Sequence, residues 1–483
     1  MKKKTVLAIL MTSAIALSAC GEGGSSTSYS GNNASSTIEA SSELDSAEGA
    51  SNDQATDIQT DGNKDTTASS ADSDESGDSS SEGEKKQKGK GSKSGKKSED
   101  SSTSSEGTLA YTLSDGEEIE GGTYTAENED ESAIGAADDT VATITGATIN
   151  KISGDATSAD TSSFEGVNAA VRVYGNATVT IEDCEITSDA ENATGVFAYD
   201  GGTIYISDST VDVTGGGAGG IQVAGGGTLY AENLTVTSAS KAAIRSDRGG
   251  GTLVVTGGTY TSTGSSGCPA IYSTAEITVS DAECVSENSR AVIIEGKNSV
   301  TLENCTLSGN DQSTKEGSIK ANVLLYQSSS GDAEDGTSVF TMNGGTMTSN
   351  SGAMFYCTNT SSVINLSDAS FELSDTGEFL IVSAGRWGSD GSNGGNCVLN
   401  AEEQTIEGTI TVDDISSLEM NLEQSDYTGA INSSGQAGTV VVNLSDDSSW
   451  TLTADSYISE FEGDLDNVNT NGYHLYVDGV EVK

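Results

Sequence analysis

The chain has little of what most enzymes and nucleic-acid binders depend on. In 483 residues there is one Pro and one His, aromatics make up 5%, and 22 Lys and Arg stand against 74 Asp and Glu. One His excludes His-cluster metal sites. A formal net charge of −52 excludes a nucleic-acid partner held by phosphate neutralisation, which needs a basic surface. One Pro excludes collagen-like chains and Pro-rich spacers. The apolar set is 34% with 59 Gly. That places the chain near the lower edge of the globular range, so part of it is expected to be disordered and the rest folded.

Lys2, Lys3 and Lys4 precede an apolar run from Val6 to Leu17. The run is short for a bilayer span, and its basic flank makes it a secretory signal. It ends Leu17-Ser18-Ala19-Cys20-Gly21, which resembles the lipobox of bacterial lipoproteins. That resemblance implies residues 1–19 as a cleaved signal peptide, diacylglycerol on the Cys20 thiol, and a protein anchored at the extracellular face of the cell membrane. More than one acyl chain at one residue anchors stably where a single chain does not.

Residues 20–105 are rich in Ser, Gly, Asp and Glu and almost free of large apolar side chains. Such a segment cannot offset its conformational entropy by burial, so a disordered tether is expected. Its Lys85–Lys97 block reads as a solvated polyampholyte linker, with contact to anionic wall polymer or lipid head groups as the alternative.

From 106 on, 57 acidic residues face 11 basic ones, and one phrase recurs. It appears as Ile144-Thr145-Gly146-Ala147-Thr148-Ile149, Ile181-Glu182-Asp183-Cys184-Glu185-Ile186, Ile206-Ser207-Asp208-Ser209-Thr210-Val211 and Leu302-Glu303-Asn304-Cys305-Thr306-Leu307, among others. From Ile119 to Leu366 the spacings are 25, 37, 25, 25, 24, 24, 23, 40 and 24 residues. A period of this length signals a solenoid. Each period holds three short runs that alternate apolar and polar, the pattern of strands, separated by Gly, Asn and Asp. The expected fold is therefore all-β: a parallel β-helix with three short strands per coil over 106–445. No strict six-residue repeat points to a left-handed form, and parallel connections favour the right hand. Residues 446–483, with Trp450, Tyr473 and the lone His474, break the phrase and are expected to cap the rod's open edges.

This region resembles right-handed β-helix surface proteins of the pectate-lyase-like superfamily, especially adhesin-like lipid-anchored bacterial ones. The similarity covers roughly 110–445 by periodicity, together with Thr470–Gly479. It implies a ligand groove along one sheet, beside long loops. The outward positions of the first run gather aromatics and Arg: Arg172/Tyr174, Phe197/Tyr199, Arg245/Asp247, Tyr272/Thr274, Leu324/Tyr326 and Phe355/Cys357. The insertions 150–168 and 308–322 precede that run. Aromatic faces stack on sugar rings and Arg pairs with carboxylates, so Arg172, Tyr174, Phe197, Tyr199, Arg245 and Tyr272 are the candidate glycan site. Cross-strand ladders of exposed-strand residues are the alternative account.

Carbohydrate cleavage is the second functional reading and a purely structural stalk the third. The Gly-His and basic motifs of polygalacturonase-like chains and the Pro-containing Arg motif of pectate lyases are both missing. A lyase would have to use Arg245 beside Asp247. Asp390, Ser392 and Asn393 in a Gly-rich loop are weak candidates for Ca²⁺; otherwise no metal or cofactor is expected, beyond diffuse Ca²⁺ association with so acidic a rod. Cys184, Cys284 and Cys305 read as buried apolar rungs; a pairing of Cys357 with Cys397 across neighbouring coils is left open by the register there.

Overall fold

The computed structural model describes residues 107–265, 267–315, 317–435 and 438–483. The expected signal, Cys20 and the tether lie outside them. Within them the two-residue alternation becomes burial directly. In Thr178–Glu182, Val179 and Ile181 are buried while Thr180 and Glu182 are exposed. Parallel pairing then sets each inward residue on its counterpart one coil away. Ile134, Val171, Val196, Ile221, Ile244, Ile271, Val292 and Val323 form one such column. Each buried Ile or Val removes enough apolar surface from water to contribute roughly 1.5–3 kcal/mol.

The first strand of each coil, from Thr108–Thr112 to Thr409–Val412, belongs to a 12-stranded sheet. The second and third strands share a 22-stranded sheet because almost nothing separates them. In Gly227–Ser238 and Gly251–Ser262 one strand runs unbroken round the bend. From Thr405–Glu407 onward a 4-stranded sheet carries the third position.

That bend explains the third residue of the recurring phrase. Asp183, Asp208, Asn233, Asp281, Asn304 and Asp368 sit at φ between 48° and 54°, and Gly146, Gly257 and Gly344 occupy the same place at 65° to 69°. A single left-handed residue turns the chain from second to third strand. Only Gly, Asn and Asp take that conformation cheaply, hence the restricted alphabet.

Two expectations are corrected. In Ala353–Thr358 the register pairs Leu324 with Tyr356 and Leu325 with Cys357. Phe355 and Cys357 therefore face the core, while Tyr356 and Thr358 face outward. A one-residue slip in counting through the preceding insertion inverts every side chain of a strand. Phe355 in fact centres a core cluster, 5.4 Å from Phe340 and 5.4 Å from Phe379 between ring centroids. The second correction concerns the boundary at 445/446. Ser449–Leu452 still pairs in parallel with Asp426–Gly429, and Trp450 is a fully buried rung 5.7 Å from Tyr427, its indole N–H donating to Gly429 O at 3.1 Å. Departure from the coil comes at the end, where Leu475–Val477 pairs antiparallel with Val480–Glu481.

The bend gives a direct test. Asp281→Gly should leave the denaturation midpoint nearly unchanged, whereas Asp281→Val should lower stability by about 1–2 kcal/mol through left-handed strain. Equal midpoints for the two variants in urea would contradict this account of the repeat.

Candidate functional site

The outward face of the first sheet is roofed. The 150–168 insertion folds into a short helix, Ala159–Glu165, opened by the Ser158 hydroxyl accepting from Thr161 N at 3.2 Å and closed by Gly166 at φ 71°. A Cβ on Gly166 would lie 2.5 Å from the Phe197 ring, so only glycine lets the helix end settle there. Gln222 Nε2 donates to Ser163 O at 2.8 Å and Lys241 Nζ donates to Ser163 Oγ at 2.6 Å, pinning the helix to the sheet. Arg248 lies 4.1 Å over the Phe164 ring and pairs with Asp332, joining the helix to the 327–336 loop. Trp387, in the 383–394 loop, packs 4.6 Å from Tyr326.

Four of the six predicted glycan residues are consequently inside. Arg172 is 3% exposed, Phe197 0%, Arg245 5% and Tyr272 6%; Tyr174 and Tyr199 stay half-buried at the margin. Arg172 donates through Nε to Glu165 O at 2.9 Å and lies 4.4 Å over Tyr174. Arg245 pairs with Asp247 at 2.7 Å and caps Tyr272 at 4.5 Å. Glu295 accepts from the Tyr272 hydroxyl at 2.5 Å and the Tyr326 hydroxyl at 2.8 Å. Arg290 pairs with Asp311 at 2.9 Å. The Arg245–Tyr272, Tyr272–Glu295 and Tyr326–Glu295 contacts join neighbouring strands as the alternative account expects, while the other contacts run along one strand or to the roof. Burial pushes the Tyr272 and Tyr326 phenols well above their ordinary range, helped at Tyr272 by Tyr326 and at both by Glu295. They serve as hydrogen-bond donors that keep their protons. The Arg245–Asp247 pair likewise has no open approach for a polysaccharide.

The Gly-rich loop uses its polar residues to close itself. Asn393 Nδ2 donates to Gly385 O at 2.8 Å and Trp387 O at 2.9 Å, the Ser392 hydroxyl donates to Ser389 O at 3.2 Å, and Asp390 is exposed. Among the described residues no three His, Cys, Asp or Glu side chains converge as a metal would require.

Two open places stand out among the described residues. A hollow of about 750 Å³ lies beside the 327–336 loop, lined by Gln327, Ser328, Asp335, Thr337, Asn359 and Ser361. It offers hydrogen bonds and no ring. The other, about 310 Å³, is a groove on the outer face of the second sheet, lined by Thr180, Tyr205, Ser207, Tyr230, Glu232 and Thr256 among others. Tyr205 and Tyr230 are register partners on successive coils, stacked at 5.0 Å and 7° and exposed by 45% and 39%. Their register neighbours on the far sides are Thr180 and Val254, both shorter, so the pair stands above the ladder. Sequence reasoning on the first run missed these two tyrosines. The available signal was Tyr placed between inward aliphatics, in Ile204-Tyr205-Ile206 and Leu229-Tyr230-Ala231, one period apart.

With three parallel ladders and a roofed first sheet described, the comparison with known families agrees with the coil. A family model described as right handed beta helix region matches residues 132–283. No curated protein and no solved structure matches the chain. The folded part is a right-handed parallel β-helix.

Lys241 provides a test of the roof. Burial, with repulsion from Arg245, pulls its ammonium from an ordinary 10.5 down to about 8. The unfolded chain therefore holds the extra proton between those values. The resulting destabilisation is full below about pH 8 and fades as pH rises toward 10.5. Lys241→Met should stabilise the protein at pH 7 by about 2 kcal/mol, from about 3 for the lost charging cost less roughly 1 for the Ser163 hydrogen bond. Unfolding midpoints of the two proteins should converge by pH 10; a gap independent of pH would refute the buried, roof-pinning lysine.

Proposed function

We propose that this is an exported, lipid-anchored binding protein of the adhesin-like kind, and that it takes a glycan on the open second-sheet face. The observation that carries the reading is the Tyr205–Tyr230 pair. In a chain with 5% aromatics, two stacked and exposed rings on adjacent coils form a platform for the apolar face of a sugar. Ser207, Thr256 and Glu232 beside them supply hydrogen-bonding groups. Glu232 and the acidic surroundings repel polyuronates and favour neutral or amino sugars. The lipobox-like Leu17-Ser18-Ala19-Cys20 supports attachment at Cys20, and the polar stretch 21–105 supports a spacer between membrane and rod.

Two measurements follow. On a glycan array, wild-type protein should retain neutral or amino-sugar ligands, and Tyr205→Ala/Tyr230→Ala should lose at least tenfold in affinity with an unchanged melting curve, since stacking on one ring is worth about 1 kcal/mol or more. Undiminished binding by the double variant would discard this site. In bacterial cells, Cys20→Ser should abolish labelling by a fatty-acid analogue and release the protein from the membrane fraction; retained labelling would remove the anchor from the reading.

A further inference from the structure

Six cysteines lie among the described residues, and all are buried as free thiols. Four of them lie apart from the remaining pair, with Cys284 and Cys305 near each other on neighbouring coils. Cys184 and Cys305 fill the same repeat position, and each directs its Sγ at nearby backbone carbonyls. Cys357 and Cys397 differ. Cys357 belongs to the first sheet, in Ala353–Thr358, and Cys397 to the second, in Asn396–Glu402. Both point into the core, and their Sγ atoms are 3.7 Å apart. We propose that Cys357 and Cys397 are a cross-linking site, closing a disulfide that ties the first sheet to the second through the interior of the coil.

The chemistry needs an oxidant, and a small-molecule disulfide suffices. Two S–H bonds break and one S–S bond forms; the two electrons and two protons reduce one molecule of oxidised glutathione to two thiols. The sulfurs must approach by less than 2 Å to reach bonding distance. The contact with Cys357, together with burial, raises the Cys397 thiol well above its ordinary range. The folded pair therefore attacks an external disulfide slowly, and closure belongs to folding, while the thiols are still exposed and ionisable. In an exported protein that step takes place in the compartment where disulfides persist. The export reading supplies only this setting; the pairing itself is tested without it.

Position matters as much as proximity. Between these residues the chain leaves the first sheet, forms Ser361–Ser367 and Ser370–Glu372, returns as Glu378–Val382, passes the 383–394 loop and re-enters the second sheet. One bond would therefore close a full coil together with the loop that carries Trp387, restricting the unfolded chain most where the repeat is least regular.

The sequence offers a clean assay. Tryptic cleavage after Lys320 and Arg386 places Cys357 alone in 321–386 and Cys397 alone in 387–483. Full-length protein would be unfolded, refolded with a mixture of reduced and oxidised glutathione, then denatured in excess iodoacetamide and digested. The expected result is a linked 321–386/387–483 species, separated into its two peptides by reductant, with the other cysteines alkylated. Its formation should raise Tm by several degrees over the reduced protein. Cys357→Ala and Cys397→Ala should each abolish both the linked species and the Tm difference. Complete alkylation of Cys357 and Cys397 after refolding, or their linkage to other cysteines instead, would overturn the proposal. Because the assay involves no ligand and no membrane, its outcome is independent of the glycan and anchor readings.

Discussion

The structure depends on one constraint: each coil must lay its inward side chains on the matching side chains of the coil before it. Parallel strands hold this spacing through their hydrogen bonds, about 4.8 Å from strand to strand. Apolar burial makes the register costly to break, because a slip of one residue would turn a column such as Ile144, Ile181 and Ile206 out to water. Everything else is arranged around that column. Polar residues occupy the alternate positions, the left-handed Asp, Asn or Gly turns the corner, and insertions are tolerated only where they leave the ladder intact. The 37- and 40-residue periods obey this rule, since Ile144 still pairs with Ile181 and Leu302 with Met342 across them.

The insertions decide which face of the rod remains available. Seen as sequence, 150–168 and 308–322 flank the aromatic first run and suggest walls of a groove. Folded, the 150–168 segment carries Phe164 and a capped helical turn, and it lies across the sheet rather than beside it. The outward Arg, Tyr and Glu of the first sheet then have little contact with water and satisfy one another instead. Enrichment in Arg and Tyr therefore marked a real feature of the chain. Whether such a cluster is a docking surface or an internal polar network depends on what lies above it, and a strand pattern does not record that.

The coil itself was legible, because it follows from a period that many residues repeat. The inward columns, the corner residue and the burial of Cys184, Cys284 and Cys305 could be read from single positions in the phrase. Legibility failed where the phrase was interrupted. Counting through the irregular stretch before Ala353 inverted Phe355 and Cys357, and the change in vocabulary near 446 hid that Trp450 continues the column of Tyr427. The second-sheet tyrosines were overlooked for another reason. One aromatic in an outward position is a faint mark beside a gathered set, and the one-period spacing of Tyr205 and Tyr230 becomes a contact only through the register.

Burial also reshapes the charge of the surface. Of the eleven cations beyond residue 106, Lys151, Arg172, Lys241, Arg245 and Arg290 are buried, whereas among the described acidic residues only Asp130, Asp247, Glu295 and Asp311 are. The roofed face takes in Arg172, Lys241, Arg245 and Arg290, and the third-position strand buries Lys151, which leaves the exterior more acidic than the composition implies. Neighbouring rods repel one another, which opposes edge-to-edge association of so strand-rich a molecule. The same field acts on ligands within roughly a Debye length, about 8 Å at physiological salt. An anionic polymer approaching the second sheet meets repulsion before it can reach the tyrosines, while a neutral or cationic sugar does not. Selectivity at the open face is in this way set partly by which arginines and lysines the closed face has withdrawn from solvent.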